Sequence, residues 1–207
     1  MVTPGDKLKA PEPKRGDLVA TMPARADRII GFLNTRDIDQ GQDVLKAPAG
    51  FDAWLRQERA FTGPSPSEEE TEAARVLREG FRDVVAWHGH GDAPPAQELD
   101  RLNASLVQYP VPFVVSPDGF LDQPQPARTV ADALGALVAD VALCQASPAW
   151  ARVKVCQNPA CRWAYYDGSH SATQKWCSMA ACGNRMKARR HRARRRSVSV
   201  NMDQKER

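Results

Sequence analysis

Acidic residues almost vanish from the end of this chain. Residues 151–207 hold three Asp and Glu against 14 Lys and Arg, whereas residues 1–150 hold 22 against 15. That split excludes an evenly charged surface and predicts a basic patch for an acidic partner, on a body that does not compete for it. No run of about 18 apolar residues occurs, which excludes a membrane-spanning helix and a membrane partner of that kind. Met1 to Gly16 is polar and lacks an apolar stretch, so no secretory signal is expected, and the protein is placed in the reducing cytoplasm. There is no glycine-rich phosphate loop, no Ser/His/Asp pattern and no internal repeat, so the chain is not expected to be an enzyme. Cysteine is scarce as well, with five in 207 residues, and four of them fall in the basic end.

What is present predicts a helical body followed by a small second unit. Hydrophobic residues make up 42% of the chain, enough for a folded core. Residues 1–22, with Pro4, Pro11 and Pro13, read as a flexible N-terminal segment, and residues 23–148 as the body. Within the body, Ile29, Ile30, Phe32 and Leu33 mark a first helix from Arg25. Asp37 to Ala47 reads as a loop, and Phe51, Trp54 and Leu55 as a second short helix. Ser65-Pro66-Ser67-Glu68 predicts a capping box opening a helix that ends near Trp87, with Val76, Leu77, Phe81, Val84 and Val85 on its apolar side. His88-Gly89-His90-Gly91 reads as a loop in preference to a metal site. Ala96 to Val107 is a further helix, Ser116-Pro117-Asp118-Gly119 the turn of a hairpin, and Thr129 to Cys144 the central helix, with Cys144 as a buried small hydrophobe. Ser147-Pro148 closes the body.

The chemistry lies in residues 150–196, ahead of a tail at 197–207. Cys156-x4-Cys161 and Cys177-x4-Cys182 offer two pairs of soft ligands separated by a hairpin-length span, the arrangement a tetrahedral Zn²⁺ takes. An iron–sulfur cluster fits these gaps less well, and disulfides do not fit the compartment. Asn158-Pro159 makes the turn of a knuckle flanked by strands at Arg152 to Val155 and Arg162 to Tyr166, and Cys182 lies in the first turns of a helix, where the dipole favours thiolate. Knuckle plus helix N-terminus describes a treble-clef-like finger with four cysteine ligands, giving a mainly α fold class with a small β-hairpin. Four thiolates leave no open position, so one structural Zn²⁺ per chain is expected. Trp163, Tyr165, Tyr166 and Trp176 are expected to form a miniature core over it, the alternative being a ring exposed for stacking.

Beyond Cys182, residues 183–196 hold eight cations and no acid: Arg185, Lys187, Arg189, Arg190, Arg192, Arg194, Arg195 and Arg196. Such a helix repels itself unless a polyanion neutralises it, and about five or six phosphate contacts would make binding steeply salt-dependent. Arg185 has a structural alternative, pairing with Asp167. Lys175 joins the candidate nucleic-acid contacts from the loop before the second cysteine pair.

These residues resemble a known family. Trp176-Cys177-Ser178-Met179, then Cys182-Gly183-Asn184-Arg185 and Lys187, with Cys156-x4-Cys161 upstream and Arg189/Arg190 downstream, resemble the CGNR zinc finger. Phe32-Leu33-Asn34-Thr35, Trp54-Leu55 and Leu102-Asn103 resemble the ABATE domain that precedes that finger in bacterial proteins. The resemblance implies a stress-related transcription regulator. This chain departs from the family before Trp176, where arginines give way to uncharged Ser171 to Gln174 and then Lys175. Gly183 is expected to allow the backbone close to a thiolate. The partner expected is duplex DNA on the nucleoid, with folded RNA as the alternative, and useful specificity calls for a homodimer through the body. A third reading makes the body an enzyme or small-molecule binder with a purely structural finger, and its polar candidates for an effector are Asn34 and Arg36.

Overall fold

In the computed structural model the described residues are 23–90, 94–111 and 113–193. The N-terminal segment at 1–22, the tail at 197–207, Gly91 and the cations Arg194, Arg195 and Arg196 lie outside them.

The body is helical. In order come α1 (Ala24–Leu33), β1 (Arg36–Asp37), β2 (Gln42–Asp43), α2 (Pro48–Arg59), α3 (Glu68–His90), α4 (Ala96–Leu106), β3 (Val114–Val115), β4 (Leu121–Asp122) and α5 (Val130–Gln145). Next follow β5 (Val153–Val155), β6 (Ala164–Tyr166) and a basic helix, α6, at residues 184–193. The strands form three separate antiparallel pairs, β1 with β2, β3 with β4 and β5 with β6. Helix α5 is central, as its composition predicts: Ala133, Leu134 and Leu137 are fully enclosed, and α1 packs along it. Helix α3 also packs on α1, and between α1 and α2 the Trp54 ring stacks on Phe51 and meets Phe32 at a tilt.

Three local readings need correction. The capping box sits two residues later than Ser65-Glu68. Ser67 Oγ accepts from Glu70 N at 3.1 Å, and Glu70 Oε2 accepts from Ser67 N at 2.8 Å, which starts α3 at Glu68 and leaves Pro66 buried ahead of the cap. Ser67→Ala is therefore expected to lower stability by about 1 kcal/mol, with Ser65→Ala leaving the helix start intact, and urea denaturation of the two variants separates them. Helix α3 also runs through His88 to His90 instead of ending at Trp87, and the His88 ring lies 5.6 Å from that of Trp150. The stretch from Asp37 is no plain loop: Arg36 pairs with Asp43 and Asp37 with Gln42 in a tight ribbon. Gly41 makes its turn at φ +67°, a conformation a side chain resists, and Asp37 Oδ1 accepts from Gln40 N at 3.0 Å.

The border between body and finger is not a linker. Val153, Val155 and Ala164 on β5 and β6 belong to one continuous core with Ile29, Leu33, Leu77 and Val85 of the body. The knuckle hairpin lies against α1 and α3. By contrast, the β3–β4 ribbon carries Val115, Phe120 and Leu121 largely exposed.

Two buried ionic networks hold the body, and periodicity announces neither. Asp140 on α5, only 1% exposed, accepts from Arg28 at 2.7 and 2.8 Å and from Arg59 at 3.4 Å. Arg78 and Arg82 on α3 are wholly enclosed and converge on Glu79, at 3.0 Å each. Burial alone would raise the Glu79 carboxyl; the guanidinium groups of Arg82, Arg78 and Arg36 outweigh it and hold it below the ordinary range.

Candidate metal centre and nucleic-acid interface

Strands β5 and β6 pair Val153 with Tyr166, Lys154 with Tyr165 and Val155 with Ala164, so the chain between them must fold back within a few residues. Asn158 builds that knuckle. Its carbonyl accepts from Cys161 N at 2.9 Å and Arg162 N at 3.1 Å, and its side-chain oxygen accepts from Ala160 N at 3.3 Å. Arg162 turns the chain out through the left-handed region at φ 49°. Cys156 N donates to Trp163 O at 2.9 Å, which sets both sulfurs on one side.

The second pair opens α6. Ser178 caps it, with Oγ accepting from Ala181 N at 3.2 Å and its carbonyl from Gly183 N at 3.0 Å, so Met179–Gly183 makes a wide π-type turn. That turn swings Cys182 inward beneath Asn158, whose Nδ2 lies 3.5 Å from Cys182 Sγ. A Cβ on Gly183 would meet Met179 Sδ at 2.8 Å and Trp176 Cδ1 at 3.2 Å, so those side chains close over the glycine.

Cys156, Cys161, Cys177 and Cys182 converge, their sulfurs all within 4.8 Å of one another. The 161–177 and 177–182 separations are 3.7 and 3.8 Å. A tetrahedron with Zn–S bonds of about 2.3 Å has edges of about 3.8 Å, so the donor set fits the ion in number, type and spacing. Four sulfurs so placed cannot all ionise without a cation: burial, then the neighbouring sulfurs, push Cys161 up to about 11 and Cys177 higher still. In Cys182 the same burial is outweighed by the Asn158 amide and the other sulfurs, and its thiol is lowered. The cysteines thus form a closed four-thiolate site for one structural zinc, which contributes folding energy and offers no open position for chemistry.

Trp163, Tyr165 and Trp176 pack on the sulfurs as the miniature core; Tyr166 instead joins the core of the body. Asp167 is fully buried and is not the partner of Arg185. It accepts from Lys154 Nζ at 2.6 Å, Ser169 Oγ at 2.6 Å and Gln174 N at 2.8 Å. Burial alone would raise its carboxyl; the Lys154 ammonium and the Ser169 and Gln174 donors hold it at about 2. The uncharged loop from Ser171 to Gln174 is thereby tied down, leaving Lys175 exposed at its end.

Arg185 pairs across the molecule with Asp39, at 2.7 and 3.0 Å. Lys187, Arg189, Arg190 and Arg192 lie on α6 and pair with no carboxylate among the described residues. Both effector candidates make contacts within the protein. Asn34 is spent on the knuckle: its amide donates to Ala164 O and accepts from Ala164 N, both at 2.9 Å, extending β6 by a side-chain rung. Arg36 lies 3.4 Å from Glu79 and lines a cleft of about 440 Å³ in which acids and arginines alternate around Val76, Trp87 and Leu102.

Two residues escape sequence reasoning. Arg82 donates to Leu33 O at 2.5 Å and to Arg162 O at 2.8 Å, joining α1 to the knuckle through one guanidinium. Asp39 left a readable signal, an acid two residues before a turn glycine in a chain whose other end has few acids. Arg82 left none.

A helical body fused to a closed knuckle-and-helix site of four cysteines defines a zinc-finger protein. Residues 152–195 match the family described as "CGNR zinc finger", and residues 17–148 match ABATE, described as "Putative stress-induced transcription regulator". The second match spans more than half of the chain, so the protein belongs to the ABATE family and carries a CGNR zinc finger at its C-terminal side. No curated protein matches it. No helix among the described residues is long and apolar enough to cross a membrane.

Proposed function

We propose that this protein is a DNA-binding transcription regulator in which the zinc site aims α6 into the major groove of a duplex. The supporting observation is one of placement. The sulfurs pin the first turn of a helix whose next cations, Lys187, Arg189, Arg190 and Arg192, have no carboxylate partner among the described residues. A phosphate backbone supplies the missing counter-charge. The chain itself performs no reaction in this reading: the body senses or assembles, and the finger binds. One finger touches few base pairs, so a defined site requires two copies acting together.

Fluorescence-anisotropy titration with duplex DNA at two salt concentrations tests the reading. With about four to six phosphates neutralised, affinity should fall on the order of 10²–10³-fold between 50 and 200 mM salt. Charge reversal at Arg189 and Arg190 together should abolish binding while zinc content stays at one per chain. Affinity indifferent to salt, or folded RNA outcompeting duplex DNA, overturns the assignment.

A further inference from the structure

The β1–β2 ribbon of the body ends in a turn, and Asp39 stands at its tip. Both carboxylate oxygens of Asp39 accept from Arg185, Oδ1 from Nη1 at 2.7 Å and Oδ2 from Nη2 at 3.0 Å. The turn is braced from behind. Asp43 takes Arg78 through both oxygens at 2.7 and 2.8 Å, and Thr35 O accepts from Val44 N at 2.8 Å. A built ribbon therefore presents this carboxylate.

Docking of the finger does not depend on it. The knuckle is held by the two Asn34–Ala164 hydrogen bonds, by Arg82 on Arg162 O and by Arg162 on Asp83 at 2.5 Å. The Asp39–Arg185 pair sits at the rim, with the Arg185 side chain 51% exposed and Asp39 28%. Two parallel N–H···O bonds from one guanidinium are also how arginine grips a phosphate. Arg185, unlike the next four cations of α6, already has such a partner among the described residues.

We propose that Asp39 stands in for a phosphate group, withholding Arg185 from the polyanion and so setting how many phosphates the finger neutralises. This deepens the polyanion-binding reading of α6 and rests on it. Nucleic acid then meets Lys187, Arg189, Arg190 and Arg192 first, and Arg185 only when the ribbon releases it.

The test is a double-mutant cycle on the zinc-loaded full chain, with heparin as a generic polyanion and duplex DNA as second probe. Asp39→Asn should elute from heparin at higher salt. It should also steepen the slope of log affinity against log salt on DNA by about one, tightening binding about five- to tenfold at about 0.1 M salt. In the Arg185→Gln background the same Asp39→Asn change should have no effect. An Asp39→Asn effect that persists without Arg185 is general repulsion and overturns the proposal; so does weaker or unchanged binding by Asp39→Asn. Wild type ignored by both probes while holding one zinc sinks the reading of α6 and this inference together, whereas retention without coupling sinks the inference alone. Zinc content and the near-UV spectrum confirm folding of each variant, and Asp39→Ser serves if Asn perturbs the turn.

Discussion

Withdrawing zinc with a strong chelator is expected to destabilise the whole chain, body included. A structural zinc contributes on the order of 10–16 kcal/mol of apparent binding energy, comparable to the entire stability of an ordinary domain. The knuckle strands it holds supply Val153, Val155 and Ala164 to the same core as Ile29 and Val85. Losing the hairpin therefore opens the body along α1 and α3. The melting temperature should drop by at least about 20 °C, and hydrogen exchange should show amides of α1 and α3 losing protection together with those of β5 and β6. Replacement of any one ligand, for example Cys182→Ser, should reproduce the effect with loss of one zinc per chain. Exchange confined to residues beyond Val153, with the body's transition unmoved, would mean the two units are energetically separate.

Arg82→Ala should be the most damaging single change outside the metal site, costing about 3–5 kcal/mol. The side chain is fully enclosed and serves three acceptors, Glu79, Leu33 O and Arg162 O. Removal leaves Glu79 with one counter-charge fewer, the buried Leu33 carbonyl without its donor and the part-buried Arg162 carbonyl without its own. Arg82→Met keeps the volume of the stem and should cost nearly as much, because the loss is of donors and not of packing. Arg82→Lys should rescue little, since a single ammonium cannot span carbonyls on opposite sides as a planar fork does. Urea denaturation of the three variants measures this. A Met variant as stable as wild type would show that the network contributes packing alone.

The features legible in sequence and those that are not divide along physical lines. Ligand identity is readable because Zn–thiolate chemistry constrains residue type and spacing so tightly that Cys156, Cys161, Cys177 and Cys182 admit few other uses. Helices α1 and α4 are readable because burial of one side imposes a repeat on apolar residues, and α5 because a helix enclosed on nearly every side is apolar along its whole length. Arg78, Arg82 and Asp140 are not, since a charged residue in a helix looks the same whether it faces water or a buried partner far along the chain. The capping box is recognisable but its place is ambiguous, as Ser65 and Ser67 carry the same chemistry and only tertiary packing of Pro66 decides between them. Asn34 carries a family resemblance without revealing that its amide serves the backbone of Ala164. The partner of Arg185 has to be long-range: Asp167, nearby in sequence, is consumed by Lys154.

The shared core has a practical sequel for anyone who wishes to exchange fingers between relatives. The conventional seam near Pro148 runs through a single block of packed side chains, so cutting there would yield two sticky halves, each missing a wall. A working chimera would have to import the complementary surfaces of α1 and α3 along with the cysteines, and inheritance of the pair as one piece is what such a seam favours.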